Sequence, residues 1–158
     1  MRVKSLCSIA LLVLLPSPAL ASGTLYYGSR AGMVVTVLSV SGLDTADAVI
    51  KTKHTRANAI EFCKEYVLKV TPQCVREELA KPLNDEIHAN CQTGLFTDFF
   101  GNRLQFKGEN KTANAATKYL IFDSASNQIE DGSEASGYPT NIAIFKALCP
   151  NEAPLSDE

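Results

Sequence analysis

Aromatic and charged side chains alternate along one short segment of the chain, and they are the residues best suited to recognition chemistry. Residues 95–100 and 103–107 flank a Gly101-Asn102 pair, and a two-residue link of this kind predicts a tight β-hairpin. In the register that such a turn sets, one face of the hairpin carries core residues. The other face carries the predicted contact surface, which includes Phe96, Asp98, Phe100, Arg103 and Lys107.

These side chains suit binding better than catalysis. In the predicted register Phe100 lies opposite Arg103, and Phe99 lies opposite Leu104 on the core face. A guanidinium beside an aromatic ring offers a cation–π contact, and exposed apolar groups mark contact surfaces. We therefore predict a recognition surface for a protein, a glycan or an anionic ligand. The structural alternative is a sheet whose second face is covered by a helix of the same chain.

The segment at residues 131–139 is a second candidate, because it combines glycines, hydroxyl groups and acids. Its glycines and hydroxyls suit an anion, and its acids suit calcium. It lacks the order of carboxylates in a calcium loop and the strand–glycine–helix pattern of a phosphate site. An ordinary surface loop is the alternative.

The two histidines, His54 and His88, belong to no metal-binding or catalytic motif, and no G-x-S-x-G sequence occurs. We therefore predict no catalytic residue, no metal and no cofactor. An enzyme would instead need at least two such groups, either carboxylates or a carboxylate and a histidine, together in one cleft. The carboxylates considered for that role are Asp98, Glu109, Asp123, Glu130 and Asp131.

Four cysteines follow residue 21, at Cys63, Cys74, Cys91 and Cys149. An even number in an exported chain predicts two disulfides. Their wide spacing is not typical of a metal site, which usually uses close C-x-x-C pairs. Of the three possible pairings we favour Cys63–Cys74 with Cys91–Cys149, a short link between helices and a long link to the C-terminus.

The N-terminus has the pattern of a cleaved signal peptide. Arg2 and Lys4 precede an apolar run over residues 6–15, and Ala19 and Ala21 supply the small residues of a cleavage site. The run is about half the roughly 20 residues needed to span a bilayer. We predict that residues 1–21 are the signal peptide and that the mature protein is periplasmic or secreted, with no transmembrane segment.

The remaining chain is predicted to be one domain over residues 22–150, followed by a disordered acidic tail at 151–158. Without Arg2 and Lys4 it holds 13 basic and 17 acidic residues, a net charge of about −4. A negative chain without a basic cluster is poorly suited to nucleic acid, so we expect no nucleic-acid partner.

Patterns of hydrophobicity predict an α+β fold made of antiparallel β-hairpins, a two-helix segment in the middle and a short C-terminal helix. β-branched runs predict strands over residues 24–40, 46–53, 103–107 and 118–123, and residues 128–130 form a short return strand. Thr55 and Thr71-Pro72 are typical helix starts, and residues 141–148 form the last helix. The predicted buried helix positions are Ile60, Cys63, Val67, Val70, Val75 and Leu79.

Five short stretches resemble a family of small, uncharacterised exported bacterial proteins. They are YGSRAGM at 27–33, TDFFGN at 97–102, DGS at 131–133, ASGY at 135–138 and LCP at 148–150. The resemblance implies a bacterial periplasmic setting and brings no activity or ligand.

Together these observations favour an exported, non-catalytic binding or envelope-associated protein. The partner that we expect is a protein or a glycan of the cell envelope. A small cell-wall-directed hydrolase, or an inhibitor of one, is the alternative.

Overall fold

The structure is a computed structural model that describes residues 23–153, apart from the side chain of residue 134. The predicted signal peptide and the last five residues of the predicted tail lie outside the described residues. Residues 151–153 form a turn, in which the Asn151 amide donates to Asp44 and the Ala153 side chain is buried. The ordered chain therefore continues past the expected boundary at residue 150.

Seven antiparallel strands form one curled sheet, in which every strand pairs with its neighbours in sequence. The α+β class and the hairpin architecture are confirmed. The strands are β1 Thr24–Tyr26, β2 Val34–Ser41, β3 Ala48–Lys53, β4 Glu86–Asn90, β5 Leu95–Thr97, β6 Arg103–Glu109 and β7 Tyr119–Asp123.

Three α-helices accompany the sheet within residues 23–153: α1 Arg56–Glu65 and α2 Pro72–Leu79 lie between β3 and β4, and α3 Tyr138–Leu148 follows β7. The predicted starts of α1 and α2 are confirmed. Thr55 accepts a hydrogen bond from the Asn58 amide, and Thr71 accepts one from the Cys74 amide. Each side chain thus satisfies a donor that the first turn of a helix leaves free.

Both predicted disulfides are confirmed: Cys63 is bonded to Cys74, and Cys91 to Cys149. The first joins α1 to α2, and the second joins the end of β4 to the end of α3. Each disulfide thus cross-links one region of the molecule, the first the α1–α2 pair and the second the α3 region.

Helix α3 supplies much of the core. It contacts β1, β3, β4 and β7, and its Phe145 ring lies 4.3 Å from the Phe106 ring and 5.2 Å from the Phe96 ring. Full burial of one such ring stabilises a fold by about 1.5–3 kcal/mol. The helix begins at Tyr138, three residues before the predicted start.

The predicted buried faces of α1 and α2 are partly wrong. Helix α1 ends at Glu65, so Val67 and Val70 follow it and are exposed. Ile60 in α1 and Leu79 in α2 are exposed as well. Leu68 has a left-handed φ of 59°, which an α-helix cannot accommodate, and the chain turns there into the connection to α2. The buried residues of α1 are Asn58, Ala59, Phe62 and Cys63, and those of α2 are Val75 and Glu78.

The predicted register of the β5–β6 hairpin is also wrong. Thr97 pairs with Arg103 and Phe96 pairs with Leu104, so residues 98–102 form a five-residue connection instead of a two-residue turn. The predicted register pairs Phe99 with Leu104, whereas the structure pairs Phe96 with Leu104. A shift by three residues is odd, so it moves every β5 side chain to the opposite face of the sheet. Phe96 consequently lies in the core, and Leu95 is only half-buried.

Two smaller strand predictions also need correction. The predicted strand at 24–40 is divided into β1 and β2 by the loop at residues 27–33. Residues 128–130 make only one bridge, between Ile129 and Phe122, and do not form a strand. The strand predicted at 118–123 is confirmed as β7.

Candidate functional site

The predicted contact residues do not share one face. Phe96 is buried against Phe145. Arg103 and Lys107 are exposed on the outer face of β6. Asp98 and Phe100 lie in the 98–102 connection, where Asp98 is buried and Phe100 is 50% exposed. The structure thus separates the proposed surface into a core residue, two outer cations and a loop pair.

Asp98 explains why the 98–102 connection folds as it does. Its carboxylate accepts hydrogen bonds from the Phe100 amide at 2.9 Å, the Asn102 amide at 2.8 Å and the Asn102 side-chain amide at 2.7 Å. Gly101 has a φ of 83°, which glycine adopts without steric cost. The connection is therefore held by hydrogen bonds among its own residues, and it leaves the Phe100 side chain half-exposed.

A polar cavity of about 420 Å³ opens beside Phe100. Its walls come from residues 27–33 after β1, from residues 98–104, and from residues 123–141, which run from the end of β7 into the first turn of α3. The volume lies within the roughly 300–1,000 Å³ of small-molecule sites. We call it the Glu130 cavity, after the least satisfied group in its wall.

Glu130 is 8% exposed, and its two carboxyl oxygens differ. Oε1 accepts a 2.6 Å hydrogen bond from the Asn141 side chain, whereas Oε2 is buried without a partner. Burial raises the pKa of Glu130 to about 7, with smaller contributions from Asp123, Asp98 and Asp131, against the effect of the Asn141 bond. The group can therefore gain or lose a proton near neutral pH.

Asp123 also lines the cavity, but its carboxylate already accepts hydrogen bonds from the backbone. Its Oδ1 accepts the amides of Ala125 and Ser126 at 2.7 and 3.0 Å, and these bonds hold its pKa below the usual range. Asp98, Asp123 and Glu130 thus meet the condition set for a catalytic cleft, because they line one cavity. Two of them accept hydrogen bonds from their own turns, and Glu130 is the one of the three with a buried oxygen that has no partner.

The segment at 131–139 contributes to the same cavity. Asp131 accepts the Ser133 amide, and Ser136 donates to the Ser133 carbonyl. These bonds bring Ser136 and Gly137 into the cavity wall at the start of α3. Among residues 23–153, leaving aside the side chain of residue 134, no three metal-ligating side chains cluster.

The two histidines have different surroundings. His88 is exposed on β4, 3.6 Å from Glu86. The His54 side chain is 9% exposed and lies 3.7 Å from Glu78. Burial and the neighbouring Lys81 lower the pKa of His54, because both disfavour the protonated ring.

Glu78 is the centre of a second buried polar cluster, on the other side of Tyr27. Its side chain is 2% exposed, accepts a hydrogen bond from the Tyr27 hydroxyl, and forms an ion pair with Lys81 at 2.7 Å. The Lys81 ammonium also lies 4.3 Å from the centre of the Phe62 ring. We call Tyr27, His54, Glu78 and Lys81 the Glu78 cluster.

Sequence reasoning missed the Glu78 cluster and the position of Tyr27 between the two sites. The available signal was the i,i+3 spacing of Glu78 and Lys81, which is also common on exposed helix faces. Glu130 was considered only as one of several carboxylates. Its burial depends on α3, which approaches from residues far along the chain.

The comparisons with known proteins add no assignment. No protein family, curated protein or solved structure matches this chain.

Proposed function

We propose that the protein is an exported, non-catalytic binding protein whose ligand occupies the Glu130 cavity. The observation that carries this proposal is that Glu130, a residue of the cavity wall, has a buried carboxyl oxygen, Oε2, without a hydrogen-bond partner. Leaving a buried polar group unsatisfied costs about 1–3 kcal/mol. A ligand that hydrogen-bonds this oxygen recovers that free energy on binding.

The rest of the cavity also fits a binding site. The Phe100 ring offers a half-exposed apolar surface, and it meets the Tyr27 ring edge-on at 6.4 Å. Hydroxyl and amide groups of the wall surround these rings, which is the mixture found in small-molecule sites. Because the 98–102 connection is braced by Asp98, little conformational entropy is lost when a ligand binds.

Several features support export. The two disulfides suit an oxidising compartment, and the N-terminal pattern of residues 1–21 is typical of a signal peptide. None of the helices between residues 23 and 153 has the length and apolar character that crossing a bilayer requires. The resemblance to small exported bacterial proteins supports a periplasmic setting. The expected partner there is a protein or a glycan of the cell envelope.

A thermal-shift screen tests the proposal. The exported protein is heated with a panel of neutral, anionic and cationic sugars, amino acids and amines. A true ligand at about 100 times its Kd stabilises the folded state by about 2.7 kcal/mol, which is a shift of several degrees.

The matched variants are Phe100→Ala, in the cavity wall, and Leu38→Ala, which removes a comparably exposed apolar side chain from β2. The shift should shrink in Phe100→Ala and persist in Leu38→Ala. A panel without any binder, or a shift that survives Phe100→Ala and Glu130→Ala alike, contradicts the proposal.

A glycan hydrolase is the second candidate, because a carboxyl group with a pKa of about 7 shares a cavity with two further carboxylates. Such a group resembles the general acid of a glycosidase. Release of soluble fragments from dye-labelled cell-wall glycan distinguishes the two functions. Turnover that disappears in Glu130→Gln but not in Glu109→Gln favours the hydrolase, and absence of turnover favours binding alone.

A further inference from the structure

We propose that the Glu130 cavity selects a hydroxylated organic cation, namely a primary ammonium ion that donates to the free oxygen of Glu130. The inference rests on the proposed function and deepens it by naming the ligand class. It depends on the unpartnered buried oxygen, on the charges around it, and on the polar groups and rings of the wall.

The first step is the charge of the wall. Asp98, Asp123 and Glu130 line the cavity, and none of the three forms an ion pair within residues 23–153. Mutual repulsion among these carboxylates contributes to the raised pKa of Glu130. A cation placed among them relieves that repulsion, whereas an anion adds to it.

The positive groups near the cavity do not reverse this balance. Arg30 contributes to the wall, but its guanidinium lies over the Tyr66 ring, 4.7 Å from the ring centre. The first turn of α3 also faces the cavity, and a helix N-terminus carries only about half a positive charge. The carboxylates therefore outweigh the cations, and the cavity attracts positive ligands.

The second step is the nature of the cation. The described residues contain no cluster of three metal-ligating side chains, so a bare metal ion lacks a coordination shell. An ammonium group needs fewer partners, because it can donate to Glu130 Oε2 while the Phe100 and Tyr27 rings provide apolar and cation–π contact. Ser29, Ser136 and Thr140 in the wall can bond hydroxyl groups carried by the same ligand.

Binding of such a cation must be linked to protons. An ammonium ion favours the ionised form of Glu130, so binding near neutral pH releases a proton. The groups that face Glu130 are Asn141, which lowers its pKa, and Asp98, Asp123 and Asp131, which raise it. Affinity should therefore fall by about tenfold between pH 7.5 and pH 5.5, as Glu130 becomes protonated.

The test uses isosteric probes that differ in charge: 2-amino-1,3-propanediol, glycerol and glycerate. Each is titrated into the isotopically labelled exported protein, and the amide shifts of residues 98–104 and 130–141 are followed by NMR. We expect the amine to bind at least about tenfold more tightly than glycerol, which corresponds to about 1.4 kcal/mol. Glu130→Gln should remove this preference, because the amide is neutral but keeps the shape and an acceptor for Asn141. Glu109→Gln, an exposed acid at the end of β6, should leave it unchanged.

Each outcome bears on the inference. Equal or tighter binding of glycerol or glycerate overturns the choice of a cation but leaves a ligand-binding cavity. Failure of all three probes also overturns it, and the broader thermal-shift panel then tests the proposed function separately. A preference for the amine that persists in Glu130→Gln contradicts the role of the free oxygen.

Discussion

Glu78 and Glu130 are both buried carboxylates, and Tyr27 lies between their surroundings. Glu78 has an ammonium partner and a phenol donor, with the His54 ring close by. Glu130 has one amide donor, one unpaired oxygen and a cavity in front of it. A buried carboxylate with partners from several elements joins those elements together. A buried carboxylate with one unpaired oxygen, in a residue that lines a cavity, is the arrangement on which the proposed ligand site rests.

The two regions also differ in what fixes them. The Cys63–Cys74 bond joins α1 to α2, which carries Glu78, and the Cys91–Cys149 bond holds α3, which carries Asn141, the partner of Glu130. Each disulfide restricts the unfolded chain and so stabilises the fold by about 2–4 kcal/mol. Each carboxylate therefore depends on a helix that a disulfide holds in place. The two differ in the side chains that contact them.

The largest expected effect comes from removing Glu78. Glu78→Ala should lower the free energy of unfolding by about 3–5 kcal/mol, since it leaves Lys81 without its buried partner. Urea denaturation at pH 7 measures this loss. The control is Glu77→Ala on the exposed side of α2, which should change stability by less than about 0.5 kcal/mol. Equal effects of the two changes would mean that the Glu78 cluster does not join α2 to the sheet.

A second comparison separates core from cavity within one loop. Phe99 is fully buried and Phe100 is half-exposed. Phe99→Ala should cost about 3–5 kcal/mol, and Phe100→Ala less than about 1 kcal/mol, as measured by chemical denaturation. If Phe100→Ala is as destabilising as Phe99→Ala, the ring serves the fold and is not available as a ligand contact.

The pH dependence of stability should reveal Glu130. Its folded pKa of about 7 lies above the ordinary value of 4.5, so the folded state holds the proton more tightly than the unfolded state. Stability should fall as pH rises from about 4.5 to 7 and then level off, by at most about 3 kcal/mol. Unfolding curves of wild type and Glu130→Gln across this range measure the difference in free energy of unfolding. As pH rises, the variant should become more stable relative to wild type. A constant difference would mean that Glu130 titrates normally and is well solvated.

The smallest expected effect distinguishes the two histidines. The pKa of His54 is lowered by burial, so its contribution to stability is present above about pH 6.5 and is lost on acidification. His54→Gln should cost about 1 kcal/mol at pH 7 through lost packing on Tyr27 and flatten the acid side of the curve. His88→Gln should stay within about 0.5 kcal/mol of wild type. Identical melting temperatures for both variants at pH 7 would show that the His54 ring adds nothing to the Glu78 cluster.

Local signals in the sequence accounted for more of the fold than of the site. The helix starts at Thr55 and Thr71 were predictable, because a cap depends on side chains within three residues. The strand at residues 46–53 was predictable for a similar reason, because it is read from the residue types of one short run. The β5–β6 register was not predictable from the Gly-Asn pair alone. It depends on the hydrogen bonds that the Asp98 carboxylate accepts within the 98–102 connection.

The sequence by itself determined the α+β class and the hairpin architecture, which follow from local periodicity. It favoured one of three disulfide pairings, and the structure confirmed that pairing. The tertiary structure alone decided which carboxylates are buried and which of them lack a partner. Burial of Glu78 requires Tyr27 and Lys81 to meet across 54 residues, and burial of Glu130 requires α3 to supply Asn141. A carboxylate's protonation and binding capacity depend on desolvation and on neighbours brought from distant parts of the chain, which sequence spacing does not encode.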